Sequence, residues 1–403
     1  MSYKYNKRKK IVRSSSLYGH KRMSKGRKIA ALVITFIIAA VLVFLGYCIG
    51  EPIVNYIKNP PQKDSSSEPW TPPEITSDDS QNGDSSTTSL TSHSPLNSSG
   101  GWSAYTLDGA DMKGRESLTA AVNSAKIDGY TAVVVPIKER GGKVYYSTKA
   151  DIAVKNPDII SSELSAEEIS SLIKGSGMTA IAEISTLYDN LAPKSEKTVG
   201  YTFEGSTSSW YDNTVENGGK PWISPFSASA KNYFSQISEE ISVAGFDGVI
   251  VSDVIFPEFR NSDYGYIGDT IRNEELRGTV LYETAMIFSD CAPMTMYKTT
   301  ASKILNGEDE LLSKNDNEVP LTAVVVVIDY DKIGNKISYN GEEFILSDMN
   351  INEKTKIIMR IVSEMLDNTV IVPEVMFEDR TAGDISEAVS AFLEAGYAKY
   401  ITE

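Results

Sequence analysis

From residue 101 onward the chain alternates short apolar runs with amphipathic stretches. The runs are GWSAYTL (101–107), YTAVVVPI (130–137), MTAIAEI (178–184), FDGVIVSD (246–253), APMTMYK (292–298), LTAVVVVIDY (321–330), TVIVPEVM (369–376) and YAKYIT (397–402). They are rich in β-branched and aromatic residues and too short for typical helices, so each reads as a strand. The stretches between them carry a helical period. In 116–127, Leu118, Ala121, Val122 and Ala125 fall on one face. Further helices are expected over 165–177, 227–245, 273–290, 352–368 and 384–396. Ser165 and Glu168 have capping-box spacing, and Leu164 can staple onto Ile169. Gly245 is placed to end one helix in a left-handed cap. Asp384 reads as an N-cap with Glu387 at N3, and Gly396 as the stop. ERGGKVYY (139–146) reads as a small hairpin.

Near-continuous apolar strands alternating with helices predict an α/β fold with a parallel sheet covered on both faces. Eight such strands in 101–403 suit a (β/α)8 TIM-like barrel. A doubly wound open sheet is the competing arrangement. No glycine-rich phosphate loop follows the first strand, which argues against a nucleotide role.

The first hundred residues follow a different pattern. Ile29 to Gly50 is a run of 22 residues without a charge. That length crosses a bilayer core, and the absence of a polar face argues against a buried core helix. Residues 1–28 hold 11 Lys or Arg and no acid, so they are expected to stay cytoplasmic and direct the C-terminal part outside. Residues 29–50 therefore read as a single-pass membrane anchor, a signal-anchor. A cleaved signal peptide is the rival, although Tyr47 is bulky where a cleavage site or a lipoprotein motif at Cys48 would have a small residue. Residues 51–100 are rich in Pro, Ser, Thr, Asp and Gly and read as a disordered linker between anchor and barrel.

Charge and scarce residue types narrow the chemistry. The chain carries 39 basic and 54 acidic residues; with 11 of the basic ones before residue 29, the remainder is strongly acidic. Such an outer part repels phosphate backbones, so nucleic acid is not an expected partner. The histidines are His20 and His93, so residues 101–403 contain none. This removes Ser-His-Asp triads and His-ligated zinc or iron there. Cys291 is the single cysteine of that region and reads as a small buried side chain, with no internal disulfide. No cofactor and no metal are expected.

Several segments, in order, resemble a known family: the glycoside hydrolase-like TIM-barrel domain of Gram-positive surface proteins. Its strand end of the form F-D-E-I-Q-F-D-Y-(I/V)-R-F-P compares without a gap with FDGVIVSDVIFP, Phe246 to Pro257. VPIKERGGKVYY (135–146) is similar to I-D-V-K-D-D-x-G-x-V-x-Y, and AEISTLYDNLA (182–192) to A-R-x-x-x-F-x-D-x-L-A. WISP (222–225) is similar to a W-x-D/N-P element. The resemblance spans roughly 101–260. Lys138 and Asp189 match family positions. The chemical positions depart: the family's strand-end Asp falls on Ser252 and its Tyr on Asp253. Its Arg falls on Ile255, and two further polar positions on Pro136 and Glu183.

The resemblance implies glycoside hydrolysis, which needs two carboxyl groups flanking the scissile bond. Strand-end carboxylates are Asp108, Glu183, Asp253, Asp329 and Glu374. Asp253 and Glu374 are the expected catalytic pair, and each also reads as a polar residue where a strand meets solvent. Asp253 replaces the family acid only if a bulge re-aims it, because a shift of one residue along a strand reverses the face. Lys138, Glu183 and Asp108 are expected to contact substrate. Trp102, Tyr105, Trp210 and Trp222 are expected sugar-stacking platforms or, alternatively, packing residues. The expectation is a membrane-anchored extracellular barrel acting on a cell-wall or environmental polysaccharide. The alternatives are a non-catalytic barrel that binds glycan or an envelope partner, and a structural envelope scaffold.

Overall fold

The computed structural model describes residues 100–403 except 268–270, 272, 314, 316–317 and 377–380. The basic tail, the expected membrane span and the linker up to residue 99 lie outside the described residues. Among the described residues no helix is long and apolar enough to cross a membrane.

The strands are β1 (Trp102–Thr106), β2 (Ala132–Lys138), β3 (Thr179–Ser185), β4 (Gly248–Ser252), β5 (Met294–Thr300), β6 (Ala323–Val327), β7 (Lys336–Tyr339), β8 (Glu342–Ile345), β9 (Ile371–Val375) and β10 (Lys399–Thr402). Eight of them close a barrel in the order β1-β2-β3-β4-β5-β6-β9-β10. Every pairing around it is parallel. Closure comes from β1 against β10, with Trp102 opposite Lys399 through Tyr105 opposite Thr402. An open doubly wound sheet is thereby excluded, and all eight expected strands are found. β7 and β8 form a separate antiparallel hairpin after β6.

The period of two along each strand sorts its side chains. Ala104, Ala132, Val134, Ile181, Ile250, Met296, Ala323, Val325, Val372 and Ile401 form one buried cluster, the barrel interior. Alternate residues such as Val133, Ala182, Val249, Val324 and Val375 belong to a larger cluster that includes the helices' apolar faces. The in-facing positions continue upward as Glu183 and Ser185 on β3, Ser252 on β4, Lys298 on β5 and Glu374 on β9. The interior is thus apolar in its lower layers and charged near the C-terminal mouth, where barrel sites are built.

Several helix ends follow their sequence signals. Ser165 Oγ accepts from Glu168 N at 3.1 Å, and the Glu168 carboxylate accepts from Ser165 N at 2.9 Å. Gly245 caps its helix at φ 75°. The start of the last helix differs from expectation. Thr381, not Asp384, is the N-cap, and Asp384 sits at N3 and accepts from Thr381 N at 2.9 Å. A threonine-led box supplies two reciprocal bonds, whereas Asp384 as N-cap would supply one. Glu387 instead accepts from Ile351 N at 3.2 Å, joining this helix to the preceding one. Ser165→Ala removes one half of its box and is expected to cost about 1 kcal/mol of stability. A denaturant midpoint unchanged from the parent would contradict that role.

Candidate functional site

Two polar clusters occupy the C-terminal mouth. The first lies inside the barrel. Lys298 Nζ is 2.8 Å from Glu374 Oε1 and 3.3 Å from Glu183 Oε2. Glu374 is fully buried, and the Lys298 and Glu183 side chains are each 16% exposed. Burial pushes the Glu374 carboxyl up to about 7, against the pull of Lys298 and with the repulsion of Glu183. The two carboxylates hold the Lys298 ammonium well above the ordinary lysine range despite its burial. Glu374 Oε2 has no hydrogen-bond partner among the described residues.

The second cluster surrounds Asp253. β4 runs regularly to Ser252, and Asp253 then takes a left-handed backbone at φ 54°. That conformation breaks the strand's alternation. Asp253 Oδ2 accepts from Ser185 Oγ at 2.7 Å, and Ser185 stands in register with Ser252. The carboxylate therefore reaches a side chain on the in-facing row of β3, which an extended residue 253 would not do. Arg140 Nε lies 3.5 Å from Asp253 Oδ1, and the guanidinium stacks over the Tyr188 ring at 4.2 Å. A non-glycine residue in this region costs about 1 kcal/mol or more, and such strain is concentrated at functional sites.

A buried ion pair fixes the second cluster from below. Lys138 Nζ and Asp189 Oδ2 are 2.9 Å apart, and both side chains are fully buried. Lys138 Nζ also donates to the Ser185 carbonyl at 2.8 Å, while Asp189 Oδ1 accepts from Leu191 N and Ala192 N. Gly142, at φ 108°, lets the post-β2 loop pass close to this carboxylate; a Cβ there would stand 2.1 Å from Asp189 Oδ1. Just before this loop the β2–β3 register shifts between Pro136 and Lys138, where Pro136 has no N–H to give the ladder.

Beside the second cluster the loops after β2, β3, β4 and β5 enclose a cleft of about 830 Å³. Arg140, Tyr188, Lys220, Trp222, Phe256 and Lys303 are among its lining residues. Its lining includes neither Glu183 nor Glu374, so the roomy space lies beside the buried charges and not over them.

These placements revise the expected site. Glu374 is joined to Glu183 through Lys298, not to Asp253. In the barrel wall β5 and β6 separate β4 from β9, and the two members of the expected pair sit in different clusters. Lys138 is sealed, so it cannot contact a substrate; burial beside Asp189 makes it a support. Trp102 opens β1 and packs with Met294 and Val370 beside the lower barrel interior, at the end opposite the mouth. Tyr105 stacks on Tyr130 with centroids 5.3 Å apart, away from the cleft. Trp210 is buried against Tyr201 and Phe259 and presents no face to a sugar. Asp108 lies in the loop after β1, where Oδ1 accepts from Ala110 N at 2.6 Å and Asp111 N at 3.2 Å, closing a turn. Trp222 alone of the expected platforms lines the cleft, its Nε1 donating to Asp212 at 2.9 Å and its ring edge-on to Tyr188. Among the described residues no group of three or more His, Cys, Asp or Glu is placed to hold a metal ion.

The residues missed by sequence reasoning are Lys298, Arg140 and Ser185. Lys298 had a readable signal: in MTMYKTT it shares the face of Met294 and Met296, so a charge enters the interior and demands a countercharge.

Residues 105–280 match the model of a family described as "Putative glycosyl hydrolase domain". Among solved structures, the glycoside hydrolase domain of PgaB (BpsB) from Bordetella bronchiseptica aligns at 13% identity and TM-score 0.48, over 74% of this chain and 92% of that one. The glycoside hydrolase domain of PelA from Pseudomonas aeruginosa aligns at 10% identity and TM-score 0.39, over 74% and 93%. A hypothetical protein from Ruminiclostridium thermocellum aligns at 18% identity and TM-score 0.39, over 48% and 95%. No curated protein sequence matches the chain. The matched segment runs from β1 into the helix after β4, and over that part the barrel is similar to this glycosyl hydrolase domain family.

Proposed function

We propose that this protein is a membrane-anchored extracellular barrel that binds a cell-wall or environmental polysaccharide in the cleft beside Asp253 and does not cleave it. One observation carries the non-catalytic reading. The two carboxylates that meet in the barrel interior, Glu183 and Glu374, are held on either side of the Lys298 ammonium, and Glu374 is fully buried. Hydrolysis needs two carboxyl groups with the sugar between them. Here a side chain of the protein occupies that space. The hydrophobic run 29–50 and the basic segment 1–28 support the placement outside the membrane.

A second reading, hydrolysis using Asp253, is favoured by a specific observation: its left-handed backbone re-aims a partly exposed carboxylate toward the mouth. Binding tests the primary reading. The protein is expected to be retained on insoluble wall glycan, and Trp222→Ala to weaken retention by about 0.5–1.5 kcal/mol, the scale of an aromatic contact. Equal retention of the parent and an unrelated acidic protein would remove it.

A further inference from the structure

We propose that the cleft wall made by the loops after β2 and β3 is a carboxylate subsite built on Arg140, selecting glycans whose pyranose units carry carboxylate groups. The proposal rests on the glycan-binding reading above and narrows its ligand. Arg140 has a 62% exposed side chain, yet its guanidinium is held in place by the Tyr188 ring beneath it. Its backbone neighbours are fixed as well: Gly141 N donates to the Tyr188 carbonyl at 2.8 Å, and Asn190 N to the Gly141 carbonyl at 3.1 Å. Its Nε is ion-paired with Asp253 Oδ1 at 3.5 Å, and no nitrogen of the guanidinium is hydrogen-bonded to the described residues. Asp253 itself is satisfied by Ser185 at 2.7 Å. What remains is a pre-positioned planar fork of donors on the wall of a cleft. Such a fork fits a carboxylate bidentately, which a point charge does not.

Charges of both signs line the rest of the cleft. On the same side, Lys220 has its backbone fixed by Asp212 at 2.7 Å, while its ammonium has no ion-pair partner among the described residues. On the loops after β4 and β5, Glu258 and Glu308 line the cleft, likewise without an ion-pair partner among the described residues. Arg260 and Lys303 line that side as well and offset these acids, so a carboxylated sugar is held by the Arg140 fork with Lys220 beside it, not by a charge gradient along the cleft. The chain's overall acidity opposes a polyanion at long range, but at physiological ionic strength that field is screened within about 8 Å. The ring carboxyl of a uronic acid and the ether-linked lactyl group of an amino sugar present the same chemistry to Arg140.

The test uses the purified full chain in mild detergent, at physiological ionic strength. Its affinities are measured for a short oligogalacturonide, the carboxyl-reduced form of that oligomer, and a muramyl-containing disaccharide. The acidic oligomer is expected to bind at least about tenfold more tightly than its reduced form, the scale of hydrogen bonds to a charged group. Arg140→Gln should abolish that preference, and Arg140→Lys should lose most of it. Arg140-dependent binding of the oligogalacturonide identifies the ring carboxyl as the source, and of the muramyl disaccharide the lactyl group. Reduced and acidic oligomers binding alike, or a preference that survives in Arg140→Gln with an unchanged melting curve, overturns the subsite and leaves the glycan-binding reading intact. No binding by any glycan, including the insoluble wall material, overturns both.

Discussion

Lys298→Met is expected to lower the unfolding free energy by about 3–5 kcal/mol, the scale for removing one partner of a buried ion pair. The substitution keeps the stem's volume and removes the charge that neutralises Glu183 and Glu374. The deficit depends on pH with a definite sign. Burial raises the Glu374 carboxyl from the ordinary 4.5 to about 7, so the folded state binds a proton that the unfolded state has released. Between those values the parent loses stability as pH rises, and above them the loss is complete. Without Lys298 the folded carboxyl moves higher still, because the cation that favours its charged form is gone. The deficit should therefore be larger at about pH 8 than at about pH 5, widening once the pH passes the parent's value of about 7. Adding Glu374→Gln to Lys298→Met should recover most of the loss and flatten the slope. Denaturant melts at the two pH values measure this, and a single variant within about 1 kcal/mol of the parent at both would refute the central cluster.

The second large effect is expected at Lys138. Lys138→Met leaves Asp189 as a buried charge without its cation and should also cost about 3–5 kcal/mol. Unlike the Lys298 change, this one reaches the cleft. It frees the Ser185 carbonyl, whose residue orients Asp253, and unsettles the segment that carries Tyr188 beneath Arg140. Lys138→Met paired with Asp189→Leu removes both charges and should restore much of the stability. If stability returns while glycan retention does not, Lys138 acts as a positioning residue; a single variant as stable as the parent would show that the pair is not needed.

The eight barrel strands were legible because their signal is local: apolar runs of strand length, punctuated by helix caps such as the Ser165–Glu168 box and Gly245. The strand-end carboxylates were legible as residue types, but their partners were not. Glu374 pairs with Lys298, 76 positions away in sequence, and nothing along the chain announces that β5 and β9 aim both side chains inward at one height. Asp253 turns on one backbone angle. Its departure from the family position by one residue foretold the wrong face, and the left-handed φ reverses that for its carboxylate. The aromatic residues misled for a different reason. Residue type alone made Trp102 and Trp222 equal candidates for sugar platforms, whereas position along the chain decides: Trp102 begins β1 at the closed end, and Trp222 follows β3 at the open one.

The most direct test of the central claim is to follow new reducing ends from wall polysaccharides and acidic oligosaccharides incubated with the parent chain and with Asp253→Asn. Both proteins are expected to retain glycan, and neither to release reducing ends. Release by the parent that disappears in Asp253→Asn would contradict it and make Asp253 a catalytic carboxylate.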